Sequence, residues 1–228
     1  MGVLIAIEGT DSSGKQTQSE LLYERLCKEG IKAKLVSFPA YESESSALVK
    51  MYLGGAFGTD PKDVNAYAAS VFYAVDRFAT FRTNWGKDYL DGTVIVADRY
   101  VPSNLIHQAS KFDGEPEKEE FIKWLNDLEY SHLGLPTPDV TLFLDMPTDT
   151  AKKLMAERAN KIDNSDKKDI HERNSEYLKK SYDNAKGIAD KLGWSIVPCA
   201  DSAGDVRTIS QISDDIWQIV KETLQRNL

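Results

Sequence analysis

Cysteine is scarce. Cys27 and Cys199 are the only two in 228 residues, with no CxxC spacing and no histidine pattern beside them, so neither a disulfide framework nor a zinc site is expected. Both read as buried or idle thiols. Long hydrophobic runs are also missing: no stretch approaches the ~20 apolar residues of a membrane span. Met1 leads directly into a short apolar strand without a basic segment or cleavage site, so a cytoplasmic location without membrane partners is expected. Positive charge is in deficit. With 28 Lys plus Arg against 36 Asp plus Glu and a net charge of −8, the chain is not built to coat nucleic acid, and any polyanionic ligand must be gripped by a local cluster. Internal repeats and low-complexity tracts are absent as well.

What is present is ordinary globular material, 41% hydrophobic and 28% charged, enough for one domain spanning 1–228. Five short runs read as strands: Val3 to Ile7, Ala33 to Phe38, Thr93 to Ala97, Val140 to Leu144 and Ser195 to Pro198. Most are continuously apolar, as in a parallel sheet covered on both faces. Helical spacing lies between them, for example Leu21, Leu22, Tyr23 and Leu26 ahead of a stop at Gly30. The alternation predicts an α/β fold with a five-stranded parallel sheet flanked by helices on both faces. The stretch from Asp63 to Tyr89 is apolar on more sides than one buried stripe requires, which fits a segment facing both the core and a second subunit. The polar tract Ala159 to His171 reads as a surface loop or a lid.

Gly9-Thr10-Asp11-Ser12-Ser13-Gly14-Lys15-Gln16-Thr17 stands directly after the first strand and before the first helix. Glycines let the backbone wrap a phosphate, successive N–H groups and a helix N-terminus supply positive potential, and Lys15 adds a mobile cation for the β and γ phosphates. This is a P-loop in its proper setting, and all nine residues are assigned to ATP. The general motif has Ser or Thr directly after the lysine. Here Gln16 intervenes and the hydroxyl comes at Thr17, a spacing that resembles adenylate-kinase-like nucleoside monophosphate kinases. Asn160 to Asp163 and Asp190 to Gly193 match GTPase motifs but stand in the wrong context and order.

The third strand ends Ala97-Asp98-Arg99-Tyr100-Val101-Pro102-Ser103-Asn104. A strand's carboxyl end in a parallel sheet points at the ligand crevice. There an arginine suits an acceptor phosphate, and a carboxylate suits Mg²⁺ or the P-loop lysine. A structural Asp–Arg pair is the plainer alternative. This segment resembles the DRY-x-x-S signature of thymidylate kinases, and three more segments match: Phe38-Pro39, Tyr73 to Arg77, and Pro138-Asp139 ahead of the fourth strand.

The resemblance implies a P-loop NTPase fold, a homodimer, and transfer of the ATP γ-phosphoryl to dTMP with Mg²⁺. It further implies that Asp11 holds the 3′-hydroxyl of the sugar, Arg99 the acceptor phosphate, and Asp98 the Mg²⁺ or Lys15, with Thr17 as the second metal candidate. Phe38 and Pro39 would border the thymine, Tyr73 pack on it, Arg77 address its O4, and Asn104 meet the base edge, with Ser103 beside them. His107 occupies the place of a Tyr or Phe beside the sugar and is followed by Gln108. The P-loop's variable residues carry no base, so the catalytic cation is expected from a mobile lid at about 158–173. Arg158 is preferred over Lys161, Lys167, Lys168 and Arg173. Two competing readings are another nucleoside or deoxynucleoside monophosphate kinase, separable by its acceptor, and a non-catalytic ATP-binding module, which would release no ADP with any acceptor.

Overall fold

The computed structural model describes residues 1–151, 154 and 175–227. The expected lid, with Arg158, Lys161, Lys167, Lys168 and Arg173, lies outside them. Five strands form one parallel sheet: β1 (Leu4–Gly9), β2 (Ala33–Ser37), β3 (Val94–Asp98), β4 (Val140–Asp145) and β5 (Ser195–Pro198), in the order β2-β3-β1-β4-β5.

The continuous apolar character of β1 follows from its central position, because successive side chains enter opposite layers. Ile5 and Ile7 join a core with Leu22 and Leu26 of α1 (Lys15–Lys28) and Ile216, Trp217 and Val220 of the C-terminal helix. Leu4 and Ala6 face the other layer, with Tyr100, Leu105 and Phe121. Strand ends differ from expectation by a residue or two: β1 runs on to Gly9 and β3 to Asp98. Asp98 still pairs in register with Ile7 on one side and Ser37 on the other. A count of apolar residues stops one place short of a carboxylate that the ladder still holds.

Helix α1 ends near Gly30, whose φ of 75° is the left-handed turn expected there. Helix α2 (Ala47–Leu53) follows β2, and then α3 (Ala66–Thr80), whose N-cap Asn65 accepts from the Ala68 N–H at 2.8 Å. The stretch expected to be apolar on several sides divides into α3, a π-turn at Phe81–Trp85, and α4 (Gly86–Leu90). On α3, Ala69, Ser70, Ala74 and Arg77 are buried, whereas Val71, Val75 and Phe78 are exposed one helical turn apart. Helix α5 (Val101–His107) leaves the end of β3. It is followed by α6 (Glu115–Asn126) with a π-turn at Asp127–His132, then α7 (Ser175–Leu192) and α8 (Ile209–Asn227).

Candidate active site

The loop after β1 is bent by geometry that its sequence dictates. A Cβ at Gly9 would stand 2.5 Å from Ser13 Oγ and 3.2 Å from the Leu144 carbonyl, so only glycine fits. Ser12 (φ 60°) and Gly14 (φ 87°) take left-handed conformations that curl the backbone around an anion-sized concavity. Lys15 opens α1, and its Nζ donates to the Thr10 carbonyl at 2.7 Å and to Ser13 Oγ at 3.4 Å. Burial and then the charge of Arg99 lower its pKa to about 8, against the opposing pull of Asp11, Asp98 and Glu8. Asp11, Ser12, Gly14, Lys15, Gln16 and Thr17 line an open cleft with Glu20 and Asp98. Gly9, Thr10 and Ser13 lie outside that lining, and the last two are buried. Gln16 is turned along the helix, donating to Glu20 Oε1 at 3.0 Å.

Arg99 follows β3 at φ 67°, an uncommon conformation for a residue other than glycine. Neighbouring bonds hold it there. The Arg99 N–H donates to the Ile7 carbonyl at 3.0 Å, and the next N–H, of Tyr100, donates to Glu8 Oε1 at 2.7 Å. The Ser103 hydroxyl donates to the other oxygen of Glu8. Glu8 is fully buried, and burial outweighs its favourable partners, lifting its pKa to about 7.

The turn directs the Arg99 side chain toward the P-loop, where Nη2 donates to Asp11 Oδ1 at 2.9 Å and Nη1 lies 3.3 Å from His107 Nε2. Burial works to raise the pKa of Asp11, but Arg99, His107 and Lys15 overcome it and hold the carboxyl well below the usual carboxylate range. The Asp98 pKa is raised, because burial outweighs Arg99 and Lys15. Among the described residues its Oδ1 is buried without a hydrogen-bond partner. An orphaned carboxylate oxygen in the same cleft as the Thr17 hydroxyl is a hard-oxygen pair of the kind Mg²⁺ favours.

A second cavity shares Asp11, Phe38, Pro39, Tyr41 and Arg99 with the first and continues between α3 and α5. It brings together Phe38, Pro39, Tyr73, Arg77, Ser103, Asn104, His107 and Gln108, the whole set that the sequence assigned to the acceptor, and adds Tyr41, Leu53 and Tyr100. The Phe38-Pro39 peptide is cis. Tyr73 is half-buried, with Tyr52 edge-on to it at 6.4 Å. Asn104 is buried and its Nδ2 donates to the Ser70 carbonyl at 3.4 Å. The His107 ring lies nearly parallel to that of Tyr177, whose hydroxyl donates to the His107 carbonyl at 3.0 Å. Ser103 lines the cavity, but its hydroxyl is committed to Glu8.

Arg77 is held by a residue that sequence reading missed. Its Nε donates to Glu129 Oε2 at 2.7 Å, and its Nη2 to the other oxygen. Glu8 was missed too, although a lone charge inside an apolar strand was a signal. Glu129 gave none, standing in a charged helical stretch.

Comparison with known proteins identifies a family and a fold. The thymidylate kinase family model matches residues 7–208. Over 177 residues the chain is 31% identical to the thymidylate kinase of Mycobacterium tuberculosis, covering 76% of this chain and 79% of that one. It is 32% identical over 155 residues to the human thymidylate kinase, covering 67% and 65% respectively. The solved thymidylate kinase of Candida albicans superposes with a TM-score of 0.71, covering 97% of this chain and 92% of the other at 24% identity, which speaks to the fold. A P-loop and an adjoining cavity on one parallel sheet, and a family match over most of the length, lead to one conclusion: the chain belongs to the thymidylate kinase family.

Proposed function

We propose that this chain transfers the γ-phosphoryl group of ATP to dTMP, giving dTDP and ADP. One observation carries the reading: the P-loop cleft and the cavity holding Tyr73, Arg77 and Asn104 share a wall made of Asp11, Phe38, Pro39, Tyr41 and Arg99, in which Asp11 and Arg99 are the charged pair. A donor in one and a nucleotide acceptor in the other would meet at that shared wall, with Lys15 and Arg99 on the phosphates. The acceptor phosphate is already a nucleophile at neutral pH, so catalysis is positioning plus charge neutralisation in an in-line transfer. Thr17 and Asp98 would hold Mg²⁺, which when bound neutralises charge on the β and γ oxygens.

The transferring cation is assigned to Arg158, because Thr10, Asp11, Ser12 and Ser13 carry no base. Arg158→Ala should lower kcat by about 10² with little change in KM, the mark of a contact made in the transition state. A homodimer through α3 is supported by exposed Val71, Val75 and Phe78 at helical spacing, with Leu48 and Met51 also exposed on α2, which packs against α3. A cytoplasmic location is supported by two cysteines that form no disulfide. Among the described residues, no helix is long and apolar enough to cross a membrane.

ADP release measured over dTMP, dUMP, dCMP, AMP, GMP and thymidine tests the reading. Preference for an acceptor other than dTMP would replace it with another monophosphate kinase, and no release with any acceptor would leave an ATP-binding module.

A further inference from the structure

Two arginines line the acceptor cavity, and the chain neutralises them differently. Arg99 meets Asp11 through one oxygen, with side-chain exposures of 25% and 18%, so a ligand can compete for it. Arg77 meets Glu129 through both oxygens, with exposures of 1% and 0%. A bidentate pair shut away from water does not open for a passing anion, since separating it would strand two buried charges.

Of the guanidinium's five N–H donors, Glu129 takes that of Nε and one of Nη2, and Nη1 donates once to the Tyr100 carbonyl at 3.5 Å, which leaves one N–H on each of Nη1 and Nη2. From these contacts we infer that Glu129 is a positioning residue with two effects on acceptor choice: it turns the remaining N–H edge of Arg77 toward the base, and it cancels the charge that would otherwise draw a phosphate to that end of the cavity. The inference rests on the reading of this cavity as the nucleotide acceptor site.

Both effects follow from elementary chemistry. A donor-only edge satisfies a ring carbonyl and opposes an exocyclic amino group, so its fixed direction separates thymine and uracil from cytosine. With Arg77 neutralised, the cavity holds one arginine available to an anion, and the nucleotide enters phosphate-first toward Arg99 and the P-loop. Glu129 comes from the π-turn after α6 and Arg77 from α3. The pair therefore also fixes the rotation of α3, on which Tyr73 stands one turn earlier.

The test uses the full-length enzyme with two substitutions. Glu129→Gln keeps the shape but removes the charge and sets an amide N–H₂ against the guanidinium. Glu129→Asp keeps the charge but withdraws it by one methylene. Three quantities are measured: the ratio of kcat/KM for dTMP over dCMP, the concentration of inorganic phosphate that displaces dTMP, and the melting curve that establishes folding. In Glu129→Gln the ratio should narrow at least tenfold and phosphate should displace dTMP at several-fold lower concentration. In Glu129→Asp the ratio should narrow while phosphate competition stays as in wild type.

An unchanged ratio in either folded variant overturns the base-reading effect. Unchanged phosphate competition in folded Glu129→Gln overturns the charge effect. If one variant fails to fold, the other decides the ratio. Failure of the acceptor reading itself is separate and visible in the unsubstituted enzyme, as lack of turnover with dTMP.

Discussion

The carboxylate of Asp11, in the P-loop, lies 2.9 Å from the Nη2 of Arg99, which follows the neighbouring strand β3. Before any acceptor arrives, each charge serves as the other's ligand. In the proposed reaction an acceptor phosphate competes with Asp11 for Arg99, and the released carboxylate turns to the sugar. Asp11→Asn should therefore move two affinities in opposite directions. Without the competing charge, Arg99 binds inorganic phosphate several-fold more tightly, while loss of a charge-assisted contact to a sugar hydroxyl raises the KM for dTMP about tenfold. Competition of phosphate against dTMP, read beside KM, checks this; parallel weakening of both would show that Asp11 only supports the loop.

Lys15 is expected to lose its proton near pH 8 in the nucleotide-free protein, since burial and Arg99 lower its pKa. The donor phosphates reverse that balance by placing negative charge against the ammonium. ATP binding above pH 8 should then draw in a proton, and the KM for ATP should rise as the solution becomes more alkaline. Calorimetry in two buffers of different ionisation enthalpy reads the proton directly. In Lys15→Ala the uptake should vanish and transfer should be lost, with dTMP binding retained. Loss of dTMP affinity on the same scale as turnover would mean that Lys15 organises the acceptor cavity instead.

Glu8 carries a cost that depends on pH. Its pKa stands at about 7 in the folded chain against an ordinary 4.5, so folding favours its protonated form. The associated stability is fully present below pH 4.5 and is lost as pH rises through about 7. Glu8→Gln keeps an acceptor for the Tyr100 N–H and removes the titration. The variant should match wild type near pH 4.5 and exceed it at pH 8, by an upper bound of about 3 kcal/mol. That corresponds to several degrees in Tm for a chain of this size. Melting curves across this range decide it, and a gap that does not grow with pH would remove Glu8 from the account.

Val71 and Val75 offer a check on assembly. An aspartate at either position, 40% exposed at Val71 and 45% at Val75, puts charge into the apolar face proposed for a second copy. Each substitution should shift the protein to monomer in sedimentation velocity with its melting temperature measured at low concentration unchanged. A wild-type protein that is monomeric at all accessible concentrations would reject the interface.

Strands, P-loop and the Asp98-Arg99 turn were readable because each depends on local pattern: apolar runs, glycines at fixed spacing, and polar residues where a strand ends. The acceptor cavity was readable through resemblance, and all ten residues assigned to it do line one space. What local pattern cannot carry is pairing across the fold. Glu129 stands 52 residues from Arg77, and nothing near either one announces the other. Glu8 supports the Tyr100 amide from 92 residues away, and its side chain alternates with apolar ones that the eye credits to packing. The tract 158–173, with Arg158, lies outside the described residues.

The pairing of Ile7 with Asp98 in the β1–β3 ladder has a kinetic meaning. Adjacent parallel strands keep a spacing of about 4.8 Å, and here β1 leads into the P-loop and β3 into Arg99, the proposed grips on donor and acceptor. The backbone thus acts as a ruler: the separation of the two grips is set at folding, before either nucleotide is present. Loosening that ladder, for instance with glycine at Ala97, should slow transfer in protein that is still fully folded, because the ruler would stretch before it broke.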